Sequence, residues 1–226
     1  MERQRGTCAE RSRGIGIVGA RTLPEAFRPQ VAAVVQRLIE RGYGIYSGGA
    51  AGADQFALEA VFVLEAFRHS VIFSAWDSVS GFPTAIRQAI HSYIAYGGMV
   101  DWGTVAIRSS RGAVVAGLLE RNARLVSAAC GLVAFLYGDS RGTRHTIAEA
   151  IRQGRRVIVF VCGGGASLPV VGFGHWVRLG GRTPFSGAHI FLPEILTAQR
   201  EPSMVATRAV RVYQERSRVA LEICNG

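Results

Sequence analysis

Apolar residues recur along this chain in two alternating patterns. Short runs that are almost free of polar side chains lie at residues 15–19, 43–46 and 71–73, and such runs are typical of strands that are buried on both faces. Between them, in residues 24–41 and 55–67, apolar side chains return every three or four positions, which is the spacing of one face of a helix. This alternation of strand and helix predicts a parallel sheet with helices on both faces.

The same alternation continues through the second half of the chain. We expect a helix after Pro83 to about residue 96, helices at 113–129 and 143–153, strands at 98–101, 132–137, 156–161 and 189–192, and a loop at 102–111. The predicted fold class is therefore α/β, with three αβα layers and a mostly parallel sheet. The expected organisation is a flexible basic N-terminus at 1–14, one domain at 15–200, and a basic C-terminal helix at 201–226.

The charge of the chain is strongly positive and is carried by arginine alone. The formal net charge is +10 at pH 7, with 26 basic and 16 acidic residues, and the sequence contains no lysine. The absence of lysine excludes a Walker phosphate lysine, a lysine Schiff base and a lysine general base. A charge of this size favours a polyanionic partner such as nucleic acid, although an arginine-rich surface that serves only solubility explains it as well.

The cysteines and the longest segment without charged residues indicate in which compartment the protein is expected. The four cysteines lie far apart, without a C-x-x-C pair, so they indicate neither a zinc site nor a disulfide framework and favour the cytoplasm. Residues 157–177 contain no Asp, Glu, Lys or Arg, but glycines and Pro169 interrupt them. They predict a buried strand and a glycine loop rather than a membrane helix. The polar residues 1–13 do not have the pattern of a signal peptide.

The clearest candidate for a binding site is the sequence SGGAAGAD at residues 47–54. Glycines and small residues end one predicted strand here and begin the next helix. The backbone amides of such a turn approach an anion closely, at the positive end of the helix dipole. We therefore expect a phosphate-binding corner, and it contains Ser47, Gly48, Gly49, Gly52 and Asp54. Asp54 has a second interpretation, because a carboxylate in the first turn of a helix complements the dipole without any ligand.

Two further clusters are predicted to lie at the same edge of the sheet. Gly19 and Arg21 follow the first strand, and an arginine in this position can bind a phosphate through two parallel hydrogen bonds. Arg121 and Asn122 lie in the middle of the helix predicted at 113–129. Because ligands of open α/β sheets bind at the carboxyl ends of the strands, we expect both clusters to converge with the corner at 47–54.

The last cluster opens the helix predicted at 143–153. Gly142, Thr143 and Thr146 supply amides and hydroxyls that suit an anion at a helix N-terminus, although helix capping alone also explains Thr143. His91, His175 and His189 have no carboxylate or serine at motif spacing, and His145 is interpreted as a residue on the surface of the helix. The sequence therefore predicts no catalytic triad and no metal site.

These motifs, in this order, resemble the Rossmann-like domain of the DprA/Smf family of DNA-processing proteins, which belongs to the SLOG superfamily. VGAR at residues 18–21 is similar to the family's V-G-S-R, and SGGAAGAD at 47–54 is similar to S-G-L-A-R-G-I-D. RNARLV at 121–126 resembles R-N-R-I-I, and GTRHT at 142–146 stands where the family has S-G-S-L-x-T-A. The resemblance extends over residues 15–197 and implies a Rossmann-like fold.

The resemblance also implies a function. It implies that the chain binds single-stranded DNA and delivers it to a RecA-type recombinase, as a homodimer, without catalysis and without a cofactor. Arg21 matches the family's phosphate-contacting arginine, whereas Ala51 replaces the arginine of S-G-L-A-R-G and Leu58 stands where a histidine is usual. The lysines that often line the family's DNA pocket are absent. The arginines expected to supply the charge instead are Arg108, Arg111, Arg141, Arg144 and Arg152.

A second function remains open within the same superfamily. Lonely-guy phosphoribohydrolases carry the motif P-G-G-x-G-T-x-x-E, whose glutamate acts on the ribosidic bond. Here Thr146 stands at the position of that glutamate, and Glu149 falls one helical turn later, so hydrolysis of a nucleoside monophosphate is not expected. The alternative to DNA binding is a nucleotide-binding sensor of the SLOG type or, with only part of the motif present, a lonely-guy-like phosphoribohydrolase.

Overall fold

The structure is a computed structural model, and it describes residues 13–194. The predictions for residues 1–12 and 195–226, including the basic C-terminal helix, lie outside the described residues. The strands are β1 (Gly14–Gly19), β2 (Gly44–Ser47), β3 (Ser70–Phe73), β4 (Met99–Asp101), β5 (Gly131–Leu136), β6 (Arg156–Val161), β7 (Gly174–Arg178) and β8 (His189–Pro193). The α-helices are α1 (Arg28–Glu40), α2 (Ala53–Val63), α3 (Thr84–Ala95), α4 (Arg111–Ala128) and α5 (Arg141–Arg152). Short 3-10 helices lie at Glu25–Phe27, Phe67–His69 and Val79–Gly81.

All of these strands form one sheet, in the order β4-β3-β2-β1-β5-β6-β8-β7. The first six strands of the chain pair with one another in parallel, so the expectation of a mostly parallel sheet is confirmed. Strand β8 runs antiparallel to both β6 and β7. A β-hairpin therefore extends one edge of the parallel sheet.

Helices cover both faces of the sheet, which confirms the three αβα layers. One core contains buried side chains of α1, α2 and α3 together with Phe135 and Phe160, whose rings stack at a centroid distance of 4.8 Å. The other core contains buried side chains of α4 and α5 together with Leu136 and Val159. Neighbouring residues of a strand point to opposite faces, so each central strand needs apolar residues at every position. This is why the parallel strands were readable as short apolar runs.

The hairpin of β7 and β8 is the main difference from the predicted elements. Strand β7 lies inside the segment that was expected to be a glycine loop. It is an edge strand: His175 and Val177 are exposed, while Trp176 packs against Phe191 with ring centroids 5.1 Å apart. The Trp176 indole also donates a hydrogen bond to the carbonyl of Pro169 at 2.9 Å. Within residues 13–194, every helix is too short or too polar to cross a membrane.

The course of the chain reverses at the centre of the sheet. From β1 the chain moves outward through β2 and β3 to β4, and then it crosses back to place β5 on the other side of β1. The loops that follow β1 and β5 therefore leave the sheet toward opposite faces and open a crevice between them. Such a switch point is where open α/β sheets bind their ligands.

Candidate functional site

A cleft of about 700 Å³ lies at this switch point. The loops after β1 and β5, the N-terminus of α5 and one side of α4 form its walls. The predicted site residues that line it are Gly19, Arg21, Asp54, Arg121, Asn122, Gly142, Thr143 and Thr146. Residues of four separate sequence clusters thus converge, as the position of the strand ends suggested.

A buried ion pair forms the floor of the cleft. Nη1 of Arg121, on α4, lies 3.5 Å from Oδ2 of Asp54, in the first turn of α2. The two side chains are only 8% and 5% exposed. The same carboxylate oxygen accepts hydrogen bonds from the backbone amides of Gly48 at 3.0 Å and Ala50 at 3.3 Å. Burial raises the pKa of Asp54 above its ordinary value, and the Arg121 guanidinium opposes that shift.

Arg121 has more hydrogen-bonding capacity than this pair uses. Burial lowers the pKa of its guanidinium, while Asp54 acts in the opposite direction. Among the described residues, its Nε has no hydrogen-bond partner. A buried donor without an acceptor is costly, and Arg121 with its positive charge lines the cleft.

The corner at residues 47–54 differs from its predicted role. The amides around Gly48 and Gly52 were expected to face a phosphate, whereas in the structure the amides of Gly48 and Ala50 donate hydrogen bonds to Asp54. A Cβ atom at Gly48 would overlap Nη1 of Arg121, so this glycine makes room for the ion pair. The corner therefore holds Asp54 and Arg121 in place. Asp54 acts as ion-pair partner of Arg121 and as hydrogen-bond acceptor, in addition to its position in the first turn of α2.

The other residues of the corner also serve the fold and do not line the cleft. Ser47 is buried at the end of β2. Gly49 has a φ of +61°, and a Cβ atom there would press on Phe82. Gly52 has a φ of +77°, and a Cβ atom there would collide with the carbonyl of Ala20. The left-handed conformation and the close approach both require glycine at position 52, because α2 begins directly against the loop after β1.

The N-terminus of α5 faces the cleft with its side-chain hydroxyls already paired. The hydroxyls of Ser140 and Thr143 lie 2.6 Å apart, and Thr146 donates to the carbonyl of Gly142 at 2.9 Å. These bonds satisfy the hydroxyls of both threonines, which are buried. The first amides of a helix have no acceptor within the helix, so the backbone, and not the hydroxyls, offers donors to an anion at this end of α5.

Arginine side chains give the rim of the cleft its positive charge. Arg21 is exposed beside the end of β1, and Arg141 is exposed at the start of α5, where its Nε lies 3.2 Å from a carboxylate oxygen of Asp139. Of the five arginines expected to supply charge, only Arg141 lines the cleft. Arg152 instead pairs with Glu149 on the surface of α5.

Sequence reasoning missed the apolar side of the cleft. Val115, Leu118 and Leu119 of α4 line it together with Tyr137, which follows β5. The signal was present in the run AVVAGLL at residues 113–119. An apolar run of seven residues at the start of a helix extends around more than one face, so a second apolar surface beside the core-facing one could have been inferred from it.

A family model for the DNA recombination-mediator protein A matches residues 4–168, which is more than half of the chain. The chain belongs to this family. The match covers the whole cleft, from the loop after β1 to the N-terminus of α5, and it confirms the resemblance found in the sequence motifs. A search of curated proteins finds no match.

Two solved structures of proteins named DNA processing protein A match this chain, and the first of them has a similar fold. The DNA processing protein A from Helicobacter pylori, described as binding single-stranded DNA, is 18% identical, with a TM-score of 0.53 over 66% of this chain and 65% of that chain. The protein of that name from Streptococcus pneumoniae is 22% identical, with a TM-score of 0.48 over 64% of this chain and 48% of that chain. The chain thus spans less than two thirds of the length of either structure.

Proposed function

We propose that this recombination-mediator family member binds single-stranded DNA in the cleft between β1 and β5, without catalysis. The observation that carries the proposal is the buried guanidinium of Arg121, whose Nε has no partner among the described residues and which lies in a cleft rimmed by exposed arginines. A phosphodiester supplies the negative charge and the acceptor oxygens that a group of arginines binds. The single-stranded DNA described for the Helicobacter pylori relative is consistent with this ligand.

Within this proposal, each wall of the cleft has a separate role toward the phosphates. Arg21 contacts a phosphate at the rim, where its side chain is exposed. The amides of Gly142 and Thr143 donate hydrogen bonds to a phosphate at the N-terminus of α5. Arg141 leaves its ion pair with Asp139 and binds a phosphate of the DNA instead. Arg121 acts from the floor, while Asn122 orients the loop beside it. Asp54 contributes by holding Arg121 in place.

We also propose that the bound strand is delivered to a RecA-type recombinase by a homodimer. The family's description as a recombination mediator supports the first part. Exposed apolar side chains near the edge strand β4 support the second. Tyr96 stacks on Phe67 at 5.1 Å and yet is 64% exposed, and Met99 and Val63 are also exposed. An aromatic and aliphatic cluster of this kind is typical of an association surface.

The DNA proposal is tested by fluorescence anisotropy with single-stranded and double-stranded oligonucleotides of equal length. We expect preference for the single strand, and about fivefold weaker binding by Arg21→Ala near 0.1 M salt, because one phosphate contact is lost. Arg68→Ala is the matched control, since it removes the same charge from the opposite edge of the sheet, before β3. Equal, salt-insensitive binding of both DNA forms would contradict the proposal.

A nucleotide sensor is the second candidate, and the size of the cleft favours it. A volume of about 700 Å³ lies within the usual range for small-molecule sites, roughly 300–1,000 Å³. Hydrolysis has less support, because Glu149 pairs with Arg152 and does not line the cleft. Calorimetry with AMP and with a cyclic dinucleotide separates the candidates. Tight binding of either ligand, with weak binding of DNA, would favour the sensor, and release of free adenine from AMP would indicate the hydrolase.

A further inference from the structure

His145 lines the cleft at the end where α5 begins. It lies in the second turn of α5, and its side chain is exposed. The Cα–Cβ bonds of a helix tilt toward the helix N-terminus, so the imidazole extends toward the first turn of α5, where the amides are free of acceptors within the helix. The side chain that was interpreted as a surface residue therefore also borders the binding site.

The carboxylate of Glu149, one helical turn after His145, already has its hydrogen-bond partners. Its Oε2 accepts from Nε of Arg152 at 3.0 Å, and its Oε1 accepts from Nη2 of Arg152 at 2.6 Å and from Nε2 of Gln153 at 2.5 Å. The hydrogen bond from Arg152 is the main cause of the lowered pKa of Glu149, and His145 contributes only through its charge. Both carboxylate oxygens are thus engaged by other donors, and the imidazole is available to a ligand in the cleft.

The charged and titratable groups around His145 come from every wall of the cleft. On α5 they are Arg141, Arg144 and Glu149, and from the other elements they are Arg21 after β1, Asp54 and Arg121 on the floor, and Tyr137 and Asp139 after β5. The ordinary pKa values of these residue types lie well away from neutral pH. Burial raises the pKa of Asp54, although the Arg121 guanidinium opposes the shift. Asp54 is therefore the group that competes with His145 for a proton as the pH falls.

We propose that His145 is a phosphate-binding residue of the cleft and couples binding of the strand to uptake of a proton, an inference that rests on the proposed DNA function. A neutral imidazole has one N–H donor, whereas the protonated ring has two donors and a positive charge. A phosphodiester keeps its negative charge at neutral pH, so it favours the protonated ring. Because histidine is the side chain that ordinarily titrates between about pH 5 and pH 8, the affinity rises as the pH falls through this range.

The direction of this pH dependence follows from the charges alone. When the ring is deprotonated, the phosphate is held by the arginines and by the amides of α5. Protonation of the ring adds one cation beside the same phosphate and strengthens the complex. An arginine at position 145 would carry its charge at every accessible pH, so it would bind the strand tightly without any pH dependence.

The experiment measures the affinity of the full chain for a rhodamine-labelled oligothymidylate by anisotropy, at about pH 6 and about pH 8 and at constant ionic strength near 0.1 M. We expect the native protein to bind about fivefold more tightly at the lower pH, because one further phosphate is neutralised. His145→Gln keeps a polar side chain without a titratable group, and it binds at both pH values as the native protein does at the higher one. His145→Arg binds at both pH values as tightly as the native protein does at the lower one.

His91→Gln is the matched control. His91 is also exposed, but it lies on α3 and does not line the cleft. Its replacement is therefore expected to leave the fivefold pH dependence unchanged. Circular dichroism melting of each variant shows that its fold is retained.

The outcomes separate this role of His145 from the proposed function. Native binding that is independent of pH overturns the role of His145 and leaves DNA binding in place. A pH dependence that persists in His145→Gln overturns it as well and assigns the proton to another group, with Asp54 as the first candidate. Equal weakening of His145→Gln at both pH values also overturns it, because the side chain then acts without its proton. Failure of the native protein to bind the strand at either pH overturns the DNA function itself.

Discussion

At the level of single residues, the pair of Asp54 and Arg121 decides the shape of the site. The two charges are almost fully buried, and burial of a charge is tolerated only with a close partner and further hydrogen bonds. Asp54 obtains those bonds from the amides of Gly48 and Ala50. The motif at residues 47–54, which resembles a phosphate-binding loop in the sequence, thus holds the buried side chain of Arg121 in position. Arg121 in turn lines the cleft.

Gly48→Ala tests this role of the glycine. The added methyl group would occupy the place of Nη1 of Arg121 and crowd the Asp54 carboxylate, so the ion pair has to separate inside the protein. We expect the free energy of unfolding to fall by about 3 kcal/mol, measured by urea denaturation. Gly112→Ala is the control: it lies at an exposed position of α4, where the nearest atom to a new Cβ is 4.0 Å away, and alanine favours the helix. An equal effect of both substitutions on the free energy of unfolding would be evidence that Gly48 is not needed to make room for Arg121.

The roles of these residues show how far sequence reasoning reached into the site. Arg21, Arg121 and Thr143 were placed correctly in one cleft, because the carboxyl ends of parallel strands meet. The role of Gly48, which is to make room for Arg121, could not be predicted from the sequence. A glycine in the sequence does not reveal whether its backbone must approach a ligand or its missing side chain must admit a neighbour.

At the level of elements, the prediction found every strand but β7 among the described residues. Strands β1, β2, β3, β5 and β6 were found from their apolar runs, and β4 and β8 were expected as short strands at 98–101 and 189–192. Strand β7 was missed because, as an edge strand, it buries only one face, and its glycine-rich approach at residues 163–174 resembles a loop. The sequence predicted that α4 begins at residue 113, whereas it begins at Arg111. The side chain of Ser110 caps the helix by accepting a hydrogen bond from the amide of Ala113.

The anchoring of α4 is tested by Arg124→Ala. The guanidinium is 27% exposed and joins the helix to Asp101 and to the Ser74 carbonyl. We expect a loss of about 2 kcal/mol in the free energy of unfolding, because charged hydrogen bonds to partly buried acceptors disappear. The urea midpoint measures it. Arg152→Ala breaks an ion pair of similar length, 2.6 Å, at the exposed surface of α5, so its midpoint stays close to that of the native protein. A ranking in the opposite order would argue against the anchor.

At the level of the whole molecule, a net charge of +10 has two possible consequences for DNA binding. A diffuse positive surface attracts DNA wherever it lies, and each arginine then contributes alike. A localised site concentrates the attraction in a few contacts. The convergence of Arg21, Arg121 and Arg141 on one cleft favours the localised case, whereas the composition alone was compatible with both.

The salt dependence of binding distinguishes these two cases. For single strands, the logarithm of the affinity falls with the logarithm of the salt concentration by about 0.7 for each neutralised phosphate. Arg21→Ala is therefore expected to reduce the slope by about 0.7, whereas Arg68→Ala, with the same loss of charge at the other edge of the sheet, leaves it unchanged. Anisotropy titrations between about 50 and 200 mM salt cover the range in which this difference is measurable. If the two variants change the slope equally, the attraction comes from the net charge of the surface, and the cleft has no special part in holding the strand.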